Sequence, residues 1–136
     1  MKFSDFIKKK EVRKTSTDKG LYNSLIKTSE LDLKFLEKIK IDEYSARKIM
    51  SNYYDVLRSL LEAMALKDGY KVYSHEAFTF YLKEKGESEI SAKFDRFRRK
   101  RNKINYYGEN ISIEEVKEYS KEIKEIIKEL KEKYLQ

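Results

Sequence analysis

Phe94-Asp95-Arg96-Phe97-Arg98-Arg99-Lys100-Arg101-Asn102-Lys103-Ile104-Asn105-Tyr106-Tyr107-Gly108 decides how this chain is read. Two patterns overlap in it. Ile90, Phe94, Phe97 and Ile104 recur at helical spacing and make one apolar face, with Gly108 as the stop. Across the same residues runs a charge pattern. Seven basic residues lie between Lys93 and Lys103 against the single acid Asp95, a local charge of +6 in a chain whose total is +7. Most of these side chains can spread around the helix into water. Arg101 cannot do so easily, because it lies on the apolar face, four residues after Phe97 and three before Ile104. A charge directed at apolar neighbours is costly unless something pairs with it. An arginine can also snorkel its head out of an apolar stripe, and a basic run is what a solvated helix face looks like. Arg101-Asn102 with two tyrosines and a glycine close behind favours a functional reading. A basic block interleaved with aromatics suits a polyanion, since neutralising phosphates releases counterions.

Outward from this segment the chain reads as helices joined by short connections. Ala46, Met50, Tyr53, Leu57, Leu60 and Met64 alternate steps of four and three, a heptad-like core seam ended by Asp68-Gly69. Tyr53 and Tyr54 are read as core on this helix. Ser74 is placed to cap a shorter helix through Phe78 and Leu82, stopped by Gly86, and Ser88 to open the basic helix. Ser112-Ile113-Glu114-Glu115 has the form of a capping box, serine at the cap and glutamate three later, before a helix carrying Val116, Ile123, Ile127, Leu130 and Tyr134. Upstream, Phe3, Phe6 and Ile7 mark a short amphipathic stretch. Thr15 to Asp18 are capping types, and the helix after them is expected to present Leu21, Leu25, Thr28, Phe35 and Ile39, ending near Lys40. No strand is expected: Val72-Tyr73 is too short to pair. The expected fold is an all-α antiparallel bundle, one domain over residues 1–136.

Composition limits the function. The chain has 136 residues, 40% of them hydrophobic and 40% charged, enough for one modest core with solvated faces. It has no proline and only four glycines, as long helices require. Zero cysteines exclude disulfides and thiolate metal sites. With no secretory leader and no run of about 20 apolar residues, a soluble cytoplasmic protein is expected. One histidine, His75, leaves little for histidine metal clusters or a Ser-His-Asp arrangement, and no glycine-rich phosphate loop occurs. No metal or other cofactor is expected. The acids of Glu114 to Glu122 are read as caps and helix-face partners of Lys121 and Lys124.

Arg101-Asn102 followed by Tyr106 resembles the Arg-polar-x3-His motif of HEPN domains, the higher eukaryote and prokaryote nucleotide-binding helical bundles. The resemblance spans almost the whole chain: Ala46 to Gly69 for the long central helix, Ser74-His75-Glu76-Ala77 for the start of the next, and Asn105-Tyr106-Tyr107-Gly108 before a polar loop and a final helix. It implies a HEPN-like bundle with an up-and-down four-helix core, and a homodimer with motif helices meeting across a shared cleft. It implies an RNA-binding protein or a weakened metal-independent ribonuclease, in a toxin-antitoxin or RNA-processing setting. The site residues implied are Arg101, Asn102 and Tyr106 for catalysis. Arg96, Arg98, Arg99, Lys100, Lys103 and Tyr107 are expected to bind nucleic acid. Tyr106 stands where the family has histidine. Its hydroxyl, with an ordinary pKa near ~10, donates a hydrogen bond readily but is a poor base at neutral pH. On a regular helix, positions five apart point roughly 140° apart, so Arg101 and Tyr106 converge only if the helix end unwinds or a second chain contributes. Whether His75 approaches the motif is left to the fold. The alternative is a non-catalytic helical subunit, or a nucleotide-binding module, associated with a nucleotidyltransferase.

Overall fold

In a computed structural model, which describes residues 1–135, the chain is an all-α bundle with one minimal sheet. Its order is α1 (Phe3–Lys8), β1 (Val12–Lys14), α2 (Lys19–Lys38), α3 (Ala46–Lys67), β2 (Tyr70–Val72), α4 (His75–Glu84), α5 (Ser88–Tyr107) and α6 (Ile113–Tyr134). The helical class follows from the heptad-like seam. Ala46, Met50, Tyr53, Leu57, Leu60 and Met64 are all buried, so α3 becomes the central helix against which α2, α5 and α6 pack. Burying each such side chain is worth about 1.5–3 kcal/mol, which makes this helix the largest single contributor to the core.

Local signals set the helix ends. Asp18 Oδ1 accepts from the Leu21 amide at 3.0 Å and opens α2. Ser112 and Glu115 close the expected capping box, with Ser112 Oγ accepting from the Glu115 amide at 3.1 Å and the Glu115 carboxylate from the Ser112 amide at 3.3 Å. Gly108 ends α5 at φ 65°, where a Cβ would be strained, and the Glu109 amide reaches back to the Lys103 carbonyl at 3.1 Å. Ser74 is the residue before α4 but makes no side-chain cap bond.

Two expectations are corrected. First, a sheet exists: Val12 pairs with Val72, Arg13 with Lys71 and Lys14 with Tyr70, antiparallel. Three-residue strands carry too little pattern to be read, and their partners lie far apart in the chain. Second, α2 is turned from the expected face. Ser29 and Leu36 are buried, with Ile26, Leu33 and Ile39 packed beside them, while Thr28 faces water and Phe35 is 60% exposed. Phe35 and Leu36 sit about 100° apart on the helix, and only the surface of α3 and α6 chooses between them.

Candidate functional site

α3 is buried on most sides, yet one polar stripe runs along it: Arg47, Ser51, Asp55, Arg58 and Glu62, at steps of four, four, three and four. Such spacing keeps all five on one face. α5 runs antiparallel beside it, and the two helices meet through polar rungs. Arg47 Nη2 donates to the Ile104 carbonyl at 3.1 Å. Ser51 Oγ donates to Asn105 Oδ1 at 2.9 Å. Arg101 Nη2 stands 3.7 Å from Asp55 Oδ1. The first residue of α4, His75, joins from the side, its Nδ1 lying 3.1 Å from the Tyr54 hydroxyl.

Tyr54 is the shared floor of this groove. Its ring is fully buried and stacks on Phe94 with centroids 5.5 Å apart. Its hydroxyl end meets His75, and the Arg101 guanidinium lies over its face, Cζ 5.5 Å from the ring centroid. The Arg101 side chain is only 16% exposed, and its Nε is buried with no hydrogen-bond partner. The apolar face of α5 explains the burial. Phe94, Phe97 and Ile104 are drawn into the core and carry Arg101 in with them.

The electrostatics of the groove are lopsided. Burial depresses His75 to about 4, and the charges of Arg58, Arg101 and Arg98 push it the same way against Glu62. Asp55 is held above the ordinary carboxylate value because burial outweighs the pull of Arg101 and Arg58. A guanidinium 3.7 Å from such a carboxylate is weakly compensated. The groove therefore holds neutral imidazole and under-neutralised arginine, a setting that favours an incoming anion.

The rest of the basic block is differently placed. Arg96 pairs with Glu122 on α6. Asp95 takes both Arg98, at 2.8 Å, and Arg99, at 2.9 Å. Burial pulls the Asp95 carboxyl up, but the Arg98 hydrogen bond and the two arginine charges outweigh it and leave it below the usual range. Lys100 reaches Glu109 at 2.7 Å and Glu115 at 3.6 Å. Lys93 lies 3.4 Å from Glu89. Among the described residues, Lys103 has no acid within 4 Å. The segment that dominates the chain's net charge is thus largely neutralised in place.

The three residues expected to act together do not share a face within one chain. α5 stays helical through Tyr107, so the end does not unwind. Arg101 turns toward α3, while Tyr106 is 71% and Tyr107 83% exposed. Asn102 is half-buried. The side chain on the face of Arg101 is Asn105, four residues on, which binds Ser51. His75, by contrast, is brought to the motif arginine, with Tyr54 between them. The α3 stripe was not singled out from the sequence. Its signal was there, as polar residues at helical spacing on a helix otherwise too apolar to face water.

A shallow cavity of about 230 Å³, lined by Asp32, Phe35, Leu36, Asn52 and Asp55, adjoins the groove on the α2 side. A larger one of about 550 Å³ lies away from the groove, where the start of α2 meets the ends of α3 and α6. Tyr22, Ile26, Leu66 and Leu135 are among its walls, with lysines and acids of both signs beside them. Among the described residues, no group of three or more acids or histidines could hold a metal ion, and no helix is long and apolar enough to cross a membrane. Fold and groove together define an all-α bundle with a half-buried cationic groove between α3 and α5. No family model, curated protein or solved structure matches the chain.

Proposed function

We propose that the protein is a HEPN-type RNA-binding protein, or a weakened metal-independent ribonuclease, that holds RNA phosphates at the groove between α3 and α5 in the cytoplasm. The observation that carries this reading is Arg101, mostly buried, with its Nε unpartnered and its one acid, Asp55, at 3.7 Å. A fixed guanidinium with spare donors matches a phosphodiester, which offers two oxygens in the plane of the fork. Arg98 and Arg58 add charge around it, and Lys103, Tyr106 and Tyr107 lie exposed near the end of α5 for backbone contact and base stacking. Substrate RNA would displace Asp55 from Arg101. A homodimer, with a second copy facing the groove, fits the exposed Phe35 beside Asp55. In that arrangement the protein would be the toxin-like member of a toxin-antitoxin pair.

A second reading is favoured by the acids that neutralise Arg96, Arg98, Arg99 and Lys100. With the block already paired, the chain would serve as a non-catalytic helical subunit or nucleotide-binding module beside a nucleotidyltransferase.

The two readings separate in a salt titration of a labelled single-stranded RNA. If about four phosphates are neutralised, log Kd against log salt has a slope of roughly 3 in magnitude. Replacing Arg98 and Arg101 together should flatten it. A slope near zero, or no binding at low salt, favours the subunit reading.

A further inference from the structure

His75 is the chain's single histidine, and its ordinary value of 6.5 is the one in the groove that lies near neutral pH. Three facts about its surroundings matter. Its Nδ1 is engaged by the Tyr54 hydroxyl, and its Nε2 has no hydrogen-bond partner among the described residues. The Tyr54 ring that holds it also lies under the Arg101 guanidinium. The charged groups around it are Arg58 and Glu62 from α3, Arg98 and Arg101 from α5, and Asp55 beside Arg101. Glu62 is itself occupied by Lys71 of β2 at 2.6 Å and by Arg58 at 3.3 Å.

We propose that His75 and Arg101 form one phosphate pocket, with Tyr54 as positioning residue and the Asp95-bound Arg98 at its border, and that His75 takes up a proton when the anion enters. The proposal rests on the reading of the groove as a phosphate site and assigns that site a third element, α4. In the empty pocket, three guanidiniums oppose a further positive charge, and the ring stays neutral with its value depressed to about 4. An anion seated among the arginines cancels their repulsion and adds an attraction, so the charged ring becomes the favoured form. The proton comes from solvent. When Tyr54 donates to Nδ1, the neutral ring carries its proton on Nε2. In the charged ring Nδ1 also carries a proton, and the Tyr54 hydroxyl turns to accept it, a hydroxyl being able to do either. Nε2 thus presents a donor to phosphate in both states, the second time with a full charge behind it. Binding would then tighten as pH falls toward the upper value, which a pocket of arginines alone would not show.

A lone histidine gives one imidazole signal, so nuclear magnetic resonance reads the pocket directly. The probe is inorganic sulfate, a dianion throughout the titration, followed by a short single-stranded RNA. Sulfate should raise the His75 midpoint by about one pH unit or more, equivalent to at least tenfold tighter anion binding to the protonated form. Arg101→Gln should remove most of that rise, with Arg98→Gln as the second variant if the first does not fold. Tyr54→Phe should change the ring's nitrogen shifts from the single Nε2–H form to a mixture of tautomers. A midpoint already at the ordinary histidine value without anion, or one that sulfate leaves in place, overturns the proposal. RNA binding with an unmoved His75 signal also overturns it while leaving the RNA reading intact. A sulfate response with no RNA affinity supports the pocket and defeats the RNA reading instead.

Discussion

The inner and outer faces of α5 carry similar residues and treat them oppositely. On the outer face, Arg96 and Arg99 each have an acid within reach and remain 51% and 71% exposed. Such pairs are worth about 0–1 kcal/mol and leave the cations available to water. On the inner face, Arg101 is pressed against Tyr54 with a distant, half-protected carboxylate and a buried, unpaired Nε. Positive charge by itself does not set the faces apart. What differs is the completeness of their compensation, and incomplete compensation in a confined place is what leaves room for a ligand.

The contrast is broken most forcefully by substitution on each side. Arg101→Gln should weaken single-stranded RNA binding by about tenfold or more, near ~1.4 kcal/mol, as loss of a charge-assisted contact implies. Arg99→Ala should change it by less than about threefold, because an exposed, acid-paired side chain contributes mainly screened attraction. Fluorescence anisotropy at fixed low salt measures both, and equal effects would erase the distinction between the faces. Asp55→Asn should strengthen binding, since it removes the internal anion that competes for Arg101.

A smaller effect sharpens the comparison through pH. His75 has a folded value of about 4 against an ordinary 6.5, so the folded chain binds fewer protons than the unfolded chain between the two. The stability of the neutral ring is fully present above the ordinary value and is lost as pH falls toward the folded one. Melting of the wild type and of His75→Gln should therefore diverge less, or reverse order, on going from about pH 7.5 to about pH 4.5. Three carboxylates in and around α5 supply the control: Asp95, Glu109 and Glu87 are held below their usual range by cationic and hydrogen-bonding partners, and they act alike in both proteins.

The smallest expected effect is at the exposed end of α5. Tyr106→His restores the residue of the resembled motif without restoring its geometry, because α5 remains regular to Tyr107. Metal-free RNA cleavage in the presence of a chelator should stay within about twofold of wild type, and stability within about 0.5 kcal/mol. A large gain would show that a second chain brings its Arg101 to this residue, the arrangement the resemblance implies.

How much of this was legible beforehand differs by element. The seam of α3, the glycine stops at Gly69 and Gly108 and the capping box at Ser112 depend on interactions within a few residues, and each was readable from spacing alone. Arg101 was readable as a charge on an apolar face for the same reason. Other features were not. The turned face of α2 reflects a choice between adjacent apolar residues, Phe35 and Leu36, that only the opposing helices make. The pairing of Val12 with Val72 joins segments sixty residues apart, each too short to carry a pattern.

By itself the sequence determined the helical class, most helix ends and the residue whose charge needs an explanation. Periodicity, capping and glycine conformation act over a turn or two, so they are written locally. Only the tertiary structure decided that Arg96 and Lys100 would find acids beyond their own helix, that the polar stripe of α3 would face α5, and that His75, rather than Tyr106, would share Tyr54 with Arg101. Each of these depends on which surfaces of two helices meet. That is fixed by the burial of side chains distant in the chain, and no local pattern records it.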